Sequence, residues 1–387
     1  MRFKFADGFW DQFKDKKTVL YGAGWAGRAL LYWAEKAGID VAYFVDRDLQ
    51  KHKMQIAGKD VKAPIELMYE DYEKIKIVIA GFAGKDSMIK TLTEMGFSCD
   101  KQIVITDFPE KYMGYDSNHV DALLGASRGD KTLYNMKEDY SDDDIVIITV
   151  GGSTTDPLMG GCDSWPFYLQ EMIDNNKISA RVVNIARSGY TSSQELLVLL
   201  REGIDIRPDI VVSYSGYNDC AAEVEKGIMY AYTGQNLYLA FKKLLENYNG
   251  EKPFGDVYYG KIESDRFERY ITNMRIMHAM CGEFNCKFYG VLQPTLLSIP
   301  VELLQSPFAK AVSDESYTTS LRESWHDFYN KYSESSSAYD YLYDFTHILN
   351  GHDDVFIDLC HVTEDGNRII AENVFKLLME QKAFEKK

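Results

Sequence analysis

The stretch Asp144-Ile145-Val146-Ile147-Ile148-Thr149-Val150-Gly151-Gly152-Ser153-Thr154-Thr155-Asp156 decides the reading of the chain. Its first half is an apolar, β-branched run of strand length, the pattern of a parallel strand buried on both faces. Two glycines follow and let the backbone turn sharply at the strand's carboxyl end. A serine comes next. In open α/β sheets ligands bind outside the carboxyl ends of the strands, so Ser153 stands where a nucleophile would sit. Gly-Gly-Ser by itself is also an ordinary turn. The weight comes from the rest of the chain.

Toward the carboxyl end the same unit recurs. Ser164-Trp165-Pro166 opens a helix, with Ser164 as its cap and proline in the first turn. Arg181 to Ile185 reads as a strand, ending in Ala186-Arg187-Ser188-Gly189-Tyr190, and a helix runs from Thr191 to Arg201. Ile210 to Tyr214 is the third strand, ending in Ser215-Gly216-Tyr217-Asn218-Asp219. Residues 220 to 264 are rich in aromatics, either helices over a site or simple packing. A helix from Ser264 to Cys281 carries Phe267, Ile271, Met274 and His278 at helical spacing, and Lys287 to Leu292 is a fourth strand. Residues 299 to 346 look helical and irregular. Val355 to Thr363 leads into a terminal helix with Thr363 as N-cap. A doubly wound parallel sheet gathers the loops after its strands at one edge.

Those loops hold what acyl transfer needs: a nucleophile, a base, a group that orients the base, and donors for the oxyanion. Ser153 supplies the first. Among seven histidines, His361 is the best base, because Asp358 three residues earlier can reach its imidazole from the same turn. The backbone N–H groups of Ser153 and Gly189 and the side-chain amide of Asn218 are the candidate oxyanion donors. Each group has an ordinary alternative: Gly189 a turn, Asn218-Asp219 a polar cap, Asp358 a cap for the last helix, His361 a structural histidine. Their joint occurrence, each after a strand, favours a site.

Four blocks in order resemble the SGNH (GDSL-type) hydrolases: Gly151-Gly152-Ser153-Thr154-Thr155, Gly189, Gly216-Tyr217-Asn218-Asp219 and Asp358-Leu359-Cys360-His361. Gly152 stands where that family commonly has aspartate. The resemblance spans residues 144 to 380. It implies a flavodoxin-like three-layer α/β/α sandwich with a parallel sheet. It also implies a serine esterase, with Ser153 as nucleophile, His361 as base then acid, and Asp358 as orienter. An O-acyltransferase using the same serine and a non-catalytic binding protein are the alternatives.

Ahead of the central strand, Lys17 to Tyr21 reads as a strand and Gly22-Ala23-Gly24-Trp25-Ala26-Gly27 as a Gly-x-Gly-x-x-Gly turn. A helix follows with Ala26, Ala29, Leu30, Trp33 and Ala37 on one face, then a strand from Val41 to Val45 ending at Asp46. A second round runs through Ile75 to Ala80, Gly81-Phe82-Ala83-Gly84, a helix from Asp86 to Met95 and a strand at Ile103 to Thr106. This Rossmann-like α/β unit resembles the small nucleotide-binding domain ahead of bacterial sugar acyltransferases. That resemblance implies a nucleotide or nucleotide-sugar ligand held by Gly22, Gly24, Gly27 and Asp46. It also implies a carbohydrate or glycan precursor as the ester substrate. The expected domains are therefore 1–110, Rossmann-like; 111–143, a linker that wraps the second domain; and 144–387, the hydrolase. Asp142, Asp143 and Asp144 form a solvated turn in this reading.

Composition bounds the partners. The chain has 387 residues, a 45% apolar fraction and a net charge of −16. That charge disfavours nucleic acid and anionic membranes. No apolar run is long enough to span a bilayer, and Asp7, Asp11 and Asp15 interrupt any signal-like start, so a cytoplasmic protein is expected. The six cysteines contain no Cys-x-x-Cys pair. They read as buried free thiols, with no metal site and no cofactor needed for hydrolysis. The expected partner is a small-molecule or glycan ester.

Overall fold

The computed structural model describes residues 8–49, 51–53, 55–80, 85–105, 134–136, 141, 143–156, 163–221, 266–314 and 316–385. The glycine turn 81–84, Thr106, most of the expected linker, Cys162 and nearly all of the aromatic stretch 220–264 lie outside them, as do the side chains of Ala26 and Ala29. Among the described residues the chain forms two six-stranded sheets with helices, an α/β protein.

The first sheet is built from β1 (Lys17–Tyr21), β2 (Val41–Val45), β3 (Gln55–Ile56), β4 (Lys59–Lys62), β5 (Ile75–Ile79) and β6 (Ile103–Ile105), in the order β3-β4-β2-β1-β5-β6. All pairs are parallel except β3 with β4. The order of the winding reverses between β1 and β5. The turn after β1 therefore opens at a switch point.

The second sheet is built from β7 (Tyr134–Asn135), β8 (Ile145–Gly151), β9 (Ala180–Asn184), β10 (Ile210–Ser215), β11 (Lys287–Leu292) and β12 (Leu342–Asp344), in the order β12-β11-β10-β8-β9-β7. Its five parallel strands follow the flavodoxin-like order 2-1-3-4-5, with the switch point between β8 and β10. All seven residues of β8 are buried, as an apolar strand covered on both faces must be. Reversal of the winding sends the crossover helices to opposite faces. Helix Trp165–Asn175 packs against β9 and the terminal helix Glu364–Glu380 on one face; Ser192–Val198 packs on Arg266–Glu283, which lies against β11, on the other. This is the three-layer α/β/α sandwich expected from the sequence.

Side-chain caps join distant segments. Thr363 accepts from the Gly366 N–H at 3.4 Å and so caps the terminal helix, as expected. Ser164 sits at the N-cap position, but its hydroxyl donates to the Thr155 carbonyl at 2.9 Å. The Trp165 N–H is satisfied instead by the Asn367 side chain, 3.0 Å away. The helix that follows the Ser153 loop is thus capped from the end of the chain.

Several expectations need correcting. Asp144 is not part of a solvated turn: it is buried and accepts from the Ser179 hydroxyl at 2.6 Å and the Ser141 N–H at 3.0 Å. Ala37 is exposed at the end of helix Trp25–Lys36, whose buried face is Gly27, Leu30, Leu31 and Ala34. Cys99 is exposed, whereas Cys220, Cys281, Cys286 and Cys360 are buried. The segment expected as linker supplies β7, antiparallel to β9. Strands β3, β4 and β12 were not legible, being two to four residues long.

A β-carbon on Gly27 would strike the Gly22 carbonyl, which is backbone and cannot swing away. We predict that Gly27→Ala lowers unfolding free energy by about 1–3 kcal/mol, the usual cost of overpacking. Urea denaturation checks this; an unchanged midpoint would contradict it.

Candidate active site

Three loops from adjacent strands meet at the carboxyl edge of the second sheet. Ser153 follows β8, Gly189 follows β9 and Asn218 follows β10. The chain turns into one helical loop after Gly152, whose carbonyl accepts from the Thr155 and Asp156 N–H groups at 3.1 and 3.0 Å.

His361 arrives on the loop before the terminal helix. That loop is closed by a bridge between Phe356 and Val362 and by the Ile357 N–H donating to the His361 carbonyl at 2.9 Å. The Leu296 N–H, beyond β11, ties in through the Leu359 carbonyl at 2.8 Å. Within the loop Asp358 does two jobs. Its Oδ1 accepts the backbone N–H groups of Cys360 and His361 at 2.9 and 2.8 Å. Its Oδ2 lies 2.7 Å from His361 Nδ1. His361 Nε2 lies 2.7 Å from Ser153 Oγ. The structure therefore brings Ser153, His361 and Asp358 into one hydrogen-bonded line, and Asp358 does not cap the last helix.

Electrostatics follow from this line. Burial pushes the Asp358 carboxyl upward, but the His361 imidazole and the hydrogen bonds around it outweigh burial and hold it at about 2. Burial opposes protonation of His361, yet the Asp358 charge and hydrogen bond raise its pKa well above the ordinary histidine value. The pair keeps a face to solvent, with side-chain exposures of 17% and 19%.

The other candidates are close by. Gly189 has φ of 78°, a left-handed conformation that a side chain would strain. Asn218 donates through Nδ2 to the Tyr190 carbonyl at 2.8 Å. A β-carbon at position 152 would collide with that same Asn218 nitrogen. This gives the glycine at 152 a physical reason.

Sequence reading missed the groups that brace these loops. Asp156, buried, accepts from the Ser188 N–H at 2.7 Å and so joins the Ser153 loop to the Gly189 loop. Asp219, buried, accepts from the Ser192 N–H at 2.9 Å and its hydroxyl at 2.5 Å, joining the Asn218 loop to the same segment. Asn273 donates to the Ser192 and Ser193 hydroxyls at 2.9 and 3.0 Å. An acid one or three residues from a candidate site residue was the available signal.

At the first sheet, Gly22 has φ of 118°, and a β-carbon there would come within 2.6 Å of the Ala80 carbonyl. Gly27 is held by close packing, as above. Among the described residues, its chain neighbours apart, a β-carbon on Gly24 would meet nothing within 4 Å. Asp46 accepts from the Ala23 and Asp48 N–H groups at 2.8 and 3.0 Å and pairs with Lys51 at 3.1 Å. Burial disfavours its charge, but these backbone and lysine contacts outweigh burial and lower its pKa.

No protein-family model matches the chain, and no curated protein does. Similar solved structures include an acetylxylan esterase from Geobacillus stearothermophilus, 13% identical, covering 63% of this chain and 95% of that one with a TM-score of 0.36. Another is a GDSL-like lipase from Bacteroides thetaiotaomicron, 13% identical, covering 61% and 88% with a TM-score of 0.34. Likenesses of this strength carry no argument; the fold rests on the chain's own strand order.

The His361 environment gives a prediction with a definite sign. Because a carboxylate stabilises the imidazolium, the His361 resonance should titrate above the ordinary histidine value. Asp358→Asn removes the charge and should move the midpoint down. Histidine-selective NMR titration checks both; an unmoved midpoint in the variant would contradict the assignment of cause.

Proposed function

We propose that the chain is a serine esterase of SGNH type that removes a short acyl group, acetyl first, from a carbohydrate-type ester. The unbroken line from Ser153 through His361 to Asp358, at the switch point of a parallel sheet, is the observation that carries this reading. Once His361 has lost a proton, above its raised pKa, Asp358 accepts the remaining Nδ1 proton, leaving the Nε2 lone pair facing the Ser153 hydroxyl. Attack of Oγ on the acyl carbon passes its proton to Nε2. The new imidazolium is stabilised by the carboxylate beside it. Negative charge on the former carbonyl oxygen is met by the Ser153 and Gly189 N–H groups and by the second N–H of Asn218. The leaving alcohol takes its proton from His361, and a water repeats the sequence to free the acid.

Ser153→Ala should abolish labelling by a fluorophosphonate probe and release of p-nitrophenol from p-nitrophenyl acetate. Asn218→Ala should lower kcat by about 10²–10³ with little change in KM, because its amide acts as charge develops. Full turnover in Ser153→Ala would remove the nucleophile assignment. Transfer of acyl label to an added sugar faster than its hydrolysis would instead make the chain an O-acyltransferase using the same serine.

The carbohydrate part of the reading comes from the resemblance of the first, Rossmann-like unit, for which we propose a nucleotide or nucleotide-sugar ligand. Two observations support it. Among the described residues nothing crowds a β-carbon at Gly24, which leaves room for the close approach of a phosphate to backbone. Asp46 stands at the end of β2 with its charge held, beside that turn. Calorimetry should detect binding of a UDP-sugar in preference to acetyl-CoA, lost in Gly24→Val and Asp46→Ala. Equal heats in the parent and both variants would end the proposal.

A further inference from the structure

We propose that Asp358, Cys360 and His361 form a binding site for a soft divalent cation, Zn²⁺ foremost, and that an ion there switches Ser153 off. A carboxylate oxygen, the Cys360 Sγ and a ring nitrogen of His361 all lie within 4.8 Å of one another. Sγ stands 3.7 Å from Nδ1, and Nδ1 stands 2.7 Å from Asp358 Oδ2. Tetrahedral zinc, with bonds of about 2.0–2.3 Å, needs its donors roughly 3.3–3.6 Å apart. The thiol–imidazole edge already has nearly that length; the carboxylate must retreat by roughly half an ångström or more to satisfy the same geometry.

Three further facts support a built site. The donors sit within four residues on one closed loop, so ordering them costs little. The thiol is buried, while the imidazole and the carboxylate near it are each partly open to solvent. A thiolate with imidazole selects Zn²⁺ or Cd²⁺ over Mg²⁺ and Ca²⁺. Nothing in the proposed hydrolysis uses Cys360. The sequence offered no metal site because no second cysteine or histidine stands at familiar spacing.

The chemistry of inhibition follows from the tautomer. Binding releases the thiol proton to water and requires a lone pair on Nδ1. The ring proton therefore moves, by exchange with solvent, to Nε2. Nε2–H then donates to Ser153 Oγ and cannot accept its proton. The ion thus blocks the base while leaving Ser153 in place. This consequence rests on the reading of Ser153 as nucleophile; ion binding itself does not.

The experiment separates the two. In a Cys99→Ser background, which removes an exposed thiol, CdCl2 titration reads the thiolate-to-metal ultraviolet band, and competition with a chromophoric chelator reads Zn²⁺ affinity. Cys360→Ser, with Cys360→Ala as second variant, should lose one thiolate's share of the band and weaken Zn²⁺ by about 10–100-fold or more. Zn²⁺ should block fluorophosphonate labelling of the parent, reversibly with EDTA, at a concentration that leaves either variant labelled to its own metal-free extent. Identical bands and affinities in parent and variants would overturn the site. Equal loss of labelling by Zn²⁺ in parent and variants would overturn the switch. Absence of metal-free labelling alongside an intact cadmium difference would sustain the ion site and remove the esterase reading.

Discussion

The Asn218 amide rests in the space that a side chain at position 152 would fill. The glycine there lets the loops after β8 and β10 come together closely. It works because β8 and β10 are neighbours in register, with Gly151 opposite Tyr214, although a whole crossover and β9 lie between them in sequence. The switch in winding makes them adjacent and leaves a crevice above.

Around that contact the loops are held by buried acids. Asp156 and Asp219 each reach across to the segment 188–192 and satisfy backbone donors that no strand ladder serves. Glu195 lies deeper, accepting from the Ser213 hydroxyl at 2.7 Å. Burial, and then the neighbouring Asp219, push its pKa up to about 8. Burial beside another acid thus favours its neutral form. Removing a carboxylate from such a set leaves donors unpaired, the expensive direction of change.

The parts most legible in the sequence were those with periodic or punctuated patterns. β1, β2 and β11 have the bounds expected of them, because each is an apolar run ended by a glycine, an acid or a proline. The approach of Ser153, His361 and Asp358 was foreseeable once each fell after a strand or in a closing loop. Asp144 was misread because three consecutive acids look solvated, while the chain uses the last one to hold Ser179. Ser164 was misread because a cap position and a cap hydrogen bond are different things; its hydroxyl had a nearer acceptor in Thr155. Short pairings such as β3 with β4 carry too few residues for a pattern and depend on neighbours distant in sequence.

The hydrogen bond between Ser153 and His361 joins residues 208 positions apart. A ribosome adding about 5–20 residues per second takes roughly 10–40 s to make the chain between them. Throughout that interval Ser153 has left the ribosome's active centre, and β8 has its partners to find, but the imidazole does not yet exist. The nascent chain thus carries its serine without the group that faces it in the finished fold. In the proposed reading, chemistry at this edge of the sheet is timed by translation: it begins only after the last loop has emerged and docked.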